Sequence, residues 1–214
     1  ASGGSGGASG GNGTVLFIRE LGTVDYLRLD SLDPTVRDLW YRFTTFRDGT
    51  LTALASLQST GDTQLELVGP GSSSDNGTDR IDRVVGEGET YYLRLAGTAN
   101  SVDLQLANLL CQNATAVAVF GTTGEDTFAF DASSGHKITV NGVEYHYTAE
   151  EVTTVSFDGG EGEDSFLLTG SDEGTETVTF WPTTGSATGL GYSVTLTSVE
   201  QKTAQAGLGV DNIA

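Results

Sequence analysis

Gly121-Thr-Thr-Gly-Glu-Asp-Thr-Phe128 and Gly160-Glu-Gly-Glu-Asp-Ser-Phe166 share one plan, in which a glycine and an acidic loop precede a hydrophobic residue. Gly207-Leu-Gly-Val-Asp-Asn-Ile213 begins the same plan again, and Ala214 is the last residue. The copies are roughly 38 and 47 residues apart, which is longer than one strand and its turn. Each unit is therefore predicted to be one large coil or a three-stranded layer.

Stacked units of this kind bury their apolar faces only against their neighbours. We therefore expect residues 113–214 to form a β-solenoid-like repeat domain that is incomplete at its C-terminus, with a second small sandwich as the alternative. An incomplete unit leaves strand edges without a partner, so either further chain or another molecule would complete it. Gly209, Asp211 and Ile213 are accordingly predicted to lie at a contact between subunits.

Short segments of alternating hydrophobicity occupy the region from about residue 23 to residue 110. Leu39-Trp-Tyr-Arg-Phe-Thr-Thr-Phe46 is typical, and Gly49-Thr50 supplies a turn before the next apolar segment. About eight such strands, with almost no helix, predict a β-sandwich over residues 23–112. The predicted fold class is all-β: an N-terminal jelly-roll-like β-sandwich followed by the repeat domain.

The sandwich region resembles the bacterial pre-peptidase C-terminal (PPC) domain. The likeness is carried by residues 39–43 (LWYRF), 48–52 (DGTLT), 62–67 (DTQLEL) and 86–95 (GEGETYYLRL). The resemblance implies a secreted, usually non-catalytic module that serves as a spacer, a secretion unit or a matrix-binding unit. Some members of that family bind calcium, but no residues here match such a site well enough to transfer it.

The second acidic loop, Gly159-Gly-Glu-Gly-Glu-Asp-Ser-Phe166, looks like the GGxGxD unit of RTX calcium-binding repeats. This resemblance implies Ca²⁺ as the candidate ligand, and the carboxylates that would bind it are Asp126, Glu161, Glu163 and Asp164. RTX units follow one another directly, whereas these copies lie dozens of residues apart. Structural turns with solvated carboxylates are the alternative interpretation, and no other cofactor is predicted.

Residues 1–22 combine a Gly/Ser-rich tail, ASGGSGGASGGNG, with a short apolar strand. Such a strand on a flexible tail is suited to adding itself to the sheet edge of another molecule. We therefore predict that Val15, Leu16, Phe17 and Ile18 lie at an interface with a neighbouring subunit. The alternative is an ordinary first strand of the sandwich.

Charge and cysteine usage narrow the class of protein. A formal charge of −19, which gives a pI near 4.1, would repel nucleic acid and anionic lipid.

The chain lacks methionine and starts Ala-Ser-Gly-Gly, which favours export with removal of a signal peptide and an extracellular or cell-surface location. The single cysteine, Cys111, is predicted to be a buried, inert thiol, with an intermolecular disulfide as the alternative.

Candidate catalytic residues are few. His136 and His146 are the two histidines, and neither has Cys, Asp or Glu at metal-ligand spacing, so we predict that the chain is not an enzyme. Three Asn-x-Thr sequences, at Asn12, Asn76 and Asn113, lie in predicted loops and are candidate glycosylation sites if export passes through a glycosylating pathway.

These observations lead to three functional hypotheses. The first is a non-enzymatic structural protein of an extracellular filament, matrix or surface layer, whose partners are copies of itself joined head to tail by β-strand addition. The second is a binding or adhesion module, with calcium as a candidate ligand, from a larger secreted adhesin or exoenzyme. The third is a carbohydrate-active β-helical enzyme that uses paired carboxylates.

Overall fold

The first half of the chain is a β-sandwich. The computed structural model describes residues 17–205, 207 and 212–213. The nine strands of this half are Ile18–Val24 (β1), Tyr26–Leu32 (β2), Leu39–Thr45 (β3), Gly49–Leu57 (β4), Thr63–Val68 (β5), Ser74–Gly77 (β6), Arg80–Val85 (β7), Thr90–Gly97 (β8) and Val102–Asn113 (β9). One 3₁₀ turn, Pro70–Ser72, is the only helical element that the described residues contain.

Alternation along the strands explains why two layers form. One sheet has the strand order β1-β3-β8-β5-β6, and it packs on a layer that contains β2, β9, β4 and β7. Tyr41 and Phe43 of β3 and Leu93 of β8 face inward and are fully or almost fully buried. Polar neighbours such as Arg42 face outward, as period-two segments require. The predictions of an all-β fold and of an N-terminal sandwich are confirmed.

The second half consists of eleven short strands in the described residues. They are Ala116–Phe120 (β10), Thr127–Asp131 (β11), His136–Val140 (β12), Val143–Tyr147 (β13), Thr154–Asp158 (β14), Ser165–Thr169 (β15), Thr177–Phe180 (β16), Thr184–Gly189 (β17), Tyr192–Thr197 (β18), Gln201–Gln205 (β19) and Asn212–Ile213 (β20).

Two parallel ladders make this half a β-solenoid. Strands β10, β14 and β18 pair in parallel, so Val117, Val155 and Val194 stack directly. Strands β11, β15 and β19 form the second ladder. Hairpins β12–β13 and β16–β17 project from the coils and pair with β11 and β18. The buried aromatic rings of Phe157 and Phe166 lie between the ladders, with centroids 5.2 Å apart. The predicted solenoid is thereby confirmed.

The predicted phase of the third repeat was wrong. The corner that stacks on the loop at 159–164 is the short segment 198–200, as shown by the hydrogen bonds from the Gly159 amide to Thr197 O and from the Gln201 amide to Asp164 O. Gly207 instead stacks on the later corner, because a Cβ atom there would meet the carbonyl oxygen of Ser171. Ile213 pairs with Val178 of β16. Gly209 and Asp211 lie outside the described residues.

The two halves are joined through a shared strand rather than a linker. Strand β9 crosses the predicted boundary at 112/113, because it pairs with β4 of the sandwich and with β10 of the solenoid. Leu104 and Leu106 belong to the first core, whereas Leu109 and Leu110 belong to the second. One ten-stranded sheet therefore runs through both halves.

The β12–β13 hairpin adds a second connection between the halves. Tyr145 Oη and Thr52 Oγ1 are 3.0 Å apart in a buried hydrogen bond, and Arg80 Nη1 donates to Glu144 O at 2.7 Å. The guanidinium of Arg80 also lies over the Tyr145 ring. These contacts fix the orientation of the solenoid relative to the sandwich.

The described part of the N-terminal segment is the first strand of its own sandwich. Ile18 pairs with Trp40 in a parallel ladder, and β1 extends to Val24, past the predicted boundary at residue 22. In this structure the strand thus completes its own sheet instead of a neighbour's. The side chains of Phe17 and Ile18 are exposed, whereas Val15 and Leu16 lie outside the described residues.

Glycines at the first corner allow adjacent coils to approach closely. A Cβ atom on Gly159 would lie 1.9 Å from Ser198 O, and one on Gly121 would lie 1.9 Å from Gly159 O. The backbones are therefore in direct contact along the stack. This close approach explains why glycine occurs at both positions.

Substituting Gly159→Ala is expected to lower the free energy of unfolding by about 3 kcal/mol, because the added methyl group forces the coils apart. Gly124→Ala is the matched control, since a Cβ atom there would meet only Thr122 Oγ1 at 3.7 Å. Chemical denaturation of both variants measures the effect. Equal stabilities would show that the corner tolerates a side chain.

Candidate functional site

The acidic corners of the solenoid hold backbone amides. Asp126 N donates to Asp164 Oδ1 at 2.8 Å, and Asp164 N donates to Glu200 Oε2 at 3.0 Å. Asp126 and Asp164 are almost completely buried. The carboxylates of Asp164 and Glu200 thereby each accept the amide of the equivalent position in the preceding coil. This chain of bonds ties the three coils together.

The four carboxylates predicted as calcium ligands do not form one cluster, because two are buried and two are exposed. Asp126 accepts hydrogen bonds from the Thr122 amide and from Asn141 Nδ2, whereas Glu161 and Glu163 are exposed on the loop. Within residues 17–205, 207 and 212–213, no three His, Cys, Asp or Glu side chains are grouped so as to hold a metal ion. The prediction of solvated carboxylates was also wrong for the two aspartates, which are interior caps.

Asp164 is distinguished by an oxygen that makes no hydrogen bond. Its Oδ2 atom is buried and has no hydrogen-bond partner. Burial raises the pKa of Asp164 above its ordinary value of 3.8, and the nearby carboxylates of Asp126, Glu200 and Asp158 raise it further. The buried charge of Asp164 therefore carries an electrostatic cost, and no hydrogen bond to its Oδ2 atom offsets it.

The two histidines differ in burial, and the contacts of each are those of a residue that supports the fold. His136 is buried, its Nδ1 atom is 2.5 Å from Val152 O, and its ring packs against Phe130 and Tyr192. His146 is exposed, with Nε2 3.4 Å from a Glu144 oxygen. Within the described residues, neither imidazole makes a hydrogen bond to a serine, threonine or cysteine side chain.

Cys111 differs from its prediction in burial, and Asn76 and Asn113 differ from theirs in secondary structure. Cys111 is partly exposed, because it lies on the outward side of β9 beside Ala118. Asn76 and Asn113 are exposed but lie in strands β6 and β9 instead of loops. Asn12 lies outside the described residues.

The outer side of the solenoid carries a regular array of hydroxyl groups, which we call the hydroxyl face. It is formed by the outward residues of β14, β18, β17 and β16, which are adjacent in the sheet. One row across the strands is Thr154, Ser193, Thr188 and Thr177; the next is Ser156, Thr195, Ser186 and Thr179. All eight are exposed or partly exposed.

The hydroxyl face is flanked at one end by a third row. This row contains Asp158, Thr197 and Thr184. Trp181 follows β16, and its backbone amide donates to Thr184 O at 3.0 Å. The Trp181 side chain is 52% exposed, which is high for an indole group. The hydroxyl rows therefore form a polar surface that is bordered by an exposed aromatic ring.

The sequence contains a signal for this face that the motif analysis missed. A Ser/Thr residue recurs at every second position in Thr177-Val-Thr179, Thr184-Gly-Ser-Ala-Thr188, Ser193-Val-Thr-Leu-Thr197 and Thr154-Val-Ser156. Alternation of this kind indicates strands with one hydroxyl-bearing side. It does not show which strands are neighbours, and only the fold brings them into one array.

No protein-family model matches the chain, and no curated protein sequence matches it. Among solved structures it is similar to the pre-peptidase C-terminal domain of a collagenase from Bacillus anthracis, with 11% identity, a TM-score of 0.35, and coverage of 45% of this chain and 98% of that one. It is also similar to a periplasmic inhibitor of g-type lysozyme from Aeromonas hydrophila, with 10% identity, a TM-score of 0.31, and coverage of 42% and 98%.

Similarities of this size carry no argument about family or function. The resemblance of residues 39–95 to PPC domains therefore stays a prediction from the residues. RTX-type calcium repeats are not shown by these comparisons. In the part of the chain that the structure describes, no helix is long and apolar enough to cross a membrane.

Replacing Asp126 and Asp164 separately by Asn should have opposite consequences. Asp126→Asn places an amide donor against Thr122 or Asn141 and is expected to cost about 1–3 kcal/mol of stability. Asp164→Asn keeps an acceptor for the Asp126 amide and removes the buried charge. We expect this variant to be at least as stable as the parent at neutral pH.

The pH dependence tests the cause. Because folding raises the pKa of Asp164, its ionised form destabilises the fold, and the penalty appears as the pH rises from about 3.8 through the folded pKa. The stability of Asp164→Asn relative to the parent should increase over that window and stay constant above it. Denaturation curves at several pH values measure this difference. A pH-independent difference would contradict the assignment.

Proposed function

We propose that this chain is a non-catalytic, exported recognition module that presents a preformed sheet face to a ligand outside the cell. The observation that supports it best is the hydroxyl face, which is carried by a sheet shared with the sandwich. A face on paired strands needs little ordering on binding, so less conformational entropy opposes association.

The use of titratable groups within the fold also supports a non-catalytic role. Asp126 and Asp164 accept backbone amides in the core, and His136 is bonded to a buried carbonyl. In the sandwich, Arg94 is neutralised by Asp38 and Glu66 beside a surface cavity of about 410 Å³. Groups committed in this way are poorly placed to exchange protons with a substrate.

The acidic composition is consistent with the proposed location. Of the ten basic residues in the chain, only Lys137 and Lys202 lie in the solenoid half. Such a surface favours solubility and disfavours adsorption to nucleic acid or anionic lipid.

A head-to-tail filament is the second candidate, and the observation in its favour is that β1 and β19 are terminal strands of their sheets. The interior position at the β19 end is occupied by Lys202, in register with Phe166 and Phe128. Its ammonium group donates to the carbonyl oxygens of Pro182, Val199 and Glu200. An inward lysine at an edge strand opposes strand addition, so the filament is the less favoured proposal.

The recognition function is tested by co-sedimenting the 214-residue chain with insoluble extracellular polymers, both polysaccharide and protein. We expect saturable retention on at least one polymer, without release of soluble fragments during long incubation. Retention on none of them, or steady product release, would contradict a non-catalytic recognition module.

Lys202→Leu is expected to increase self-association, because it removes the charge and leaves an apolar edge. The parent chain should sediment as a monomer at micromolar concentration, and the variant should form larger species. Gln205→Leu on the outward side of β19 is the control, since the Gln205 side chain is exposed and the substitution leaves its backbone pairing with Thr169 in place. A parent chain that forms filaments would instead favour the second candidate.

A further inference from the structure

We propose that the hydroxyl face binds a neutral polysaccharide, with the Trp181 ring as the platform on which a sugar ring stacks. This inference rests on the proposed recognition function and adds the site and the class of ligand. The placement of Trp181, the anchoring of its loop and the charge of the face support it.

Trp181 lies on the same side of the sheet as the hydroxyl rows. Phe180 pairs with Gly185 across the β16–β17 hairpin, and a Cβ atom on Gly185 would meet the side chains of Phe180 and Leu196, which face the core. The next pair, Trp181 and Thr184, therefore projects to the opposite side, since side chains alternate along a strand. Thr184 is directly beside Thr197 of the third row.

Hydrogen bonds from the third coil anchor the loop that carries Trp181. Lys202 Nζ donates to Pro182 O at 2.9 Å, and the Val199 amide donates to Thr183 O at 3.0 Å. These two bonds attach the hairpin turn to the third coil. The backbone that carries the indole ring is consequently held in place before a ligand arrives, so less conformational entropy is lost when the ring is covered.

The hydroxyl array matches the hydrogen-bonding groups of sugars. Serine and threonine hydroxyls both donate and accept, as sugar hydroxyls do. Neighbouring strands are about 4.8 Å apart and successive outward residues about 7 Å apart, so the groups form a two-dimensional grid. Asp158 at the border adds a charged acceptor, which strengthens hydrogen bonds from neutral hydroxyls.

The charge of the chain favours a neutral polysaccharide over an anionic one and over a second copy of the chain. The two full rows contain no charged side chain, in a chain whose net charge is −19. Anionic polysaccharides would be repelled by the molecule as a whole. A second copy of the chain would be repelled for the same reason, and short hydroxyl side chains offer it little apolar area to bury. A neutral glycan avoids both costs.

Affinity electrophoresis of the full chain in gels that contain a soluble neutral polysaccharide tests the proposal. Glucomannan, hydroxyethyl cellulose and pullulan serve as neutral probes, and polygalacturonate serves as the anionic comparison. We expect retardation by at least one neutral polymer and none by polygalacturonate. Trp181→Ala should weaken binding roughly tenfold, the size expected when one well-placed aromatic contact is lost.

Two further variants keep the result interpretable. Thr195→Glu places a charge in the middle of the grid and should weaken binding without touching the core, since Thr195 is exposed. Leu190→Ala, which removes another exposed apolar side chain of the same half, should bind like the parent. Thermal melts verify that each variant is folded.

The inference is overturned if no neutral polymer retards the parent, or if Trp181→Ala and Thr195→Glu both bind as the parent does. Retention on a protein polymer in the co-sedimentation panel, without neutral-glycan binding, would leave the recognition function intact and refute the glycan site alone. Concentration-dependent dimerisation abolished by Thr195→Glu would identify a second copy as the occupant and also refute it.

Discussion

The hydrogen bond from a buried backbone amide to the carboxylate of the next coil is the contact on which the solenoid depends. The amide of Asp126 meets Asp164, and the amide of Asp164 meets Glu200. A chain that turns sharply between two strands leaves amides without strand partners, and an unpaired buried amide is costly. The carboxylates supply the missing acceptors. The coils can then stack in register, and the outward residues of each coil align into rows.

Much of the fold was predictable from local patterns. The alternation in residues 39–46 gives a strand with one buried side, and the recurring glycine and acidic loops indicate coils that return to the same place. The register of the first two coils follows directly, since Asp126 and Asp164 are 38 residues apart in both the sequence pattern and the structure. These features depend on period and turn chemistry, which a single sequence records.

The errors arose where contacts between distant segments determine the outcome. The third corner, Ser198–Val199–Glu200, has neither the glycines nor the length of the earlier ones, so its equivalence is visible only through its neighbours. Asp126 and Asp164 are buried by the contacts between adjacent coils, and this burial is not visible in the local sequence pattern. The hydroxyl face depends on a contact of the same kind: β16, β17 and β18 pair in chain order, but β14 joins them only by pairing with β18, after β15 has entered the other ladder.

Strand β9 belongs to two hydrophobic cores at once, and this sharing has a thermodynamic consequence. Losing either core would expose half of β9, so the free energies of the two halves are coupled and the chain should unfold as one cooperative unit. A ligand that binds only the native solenoid then stabilises the sandwich as well, by mass action on a common equilibrium. A ligand bound to the solenoid should therefore also make the sandwich more resistant to unfolding.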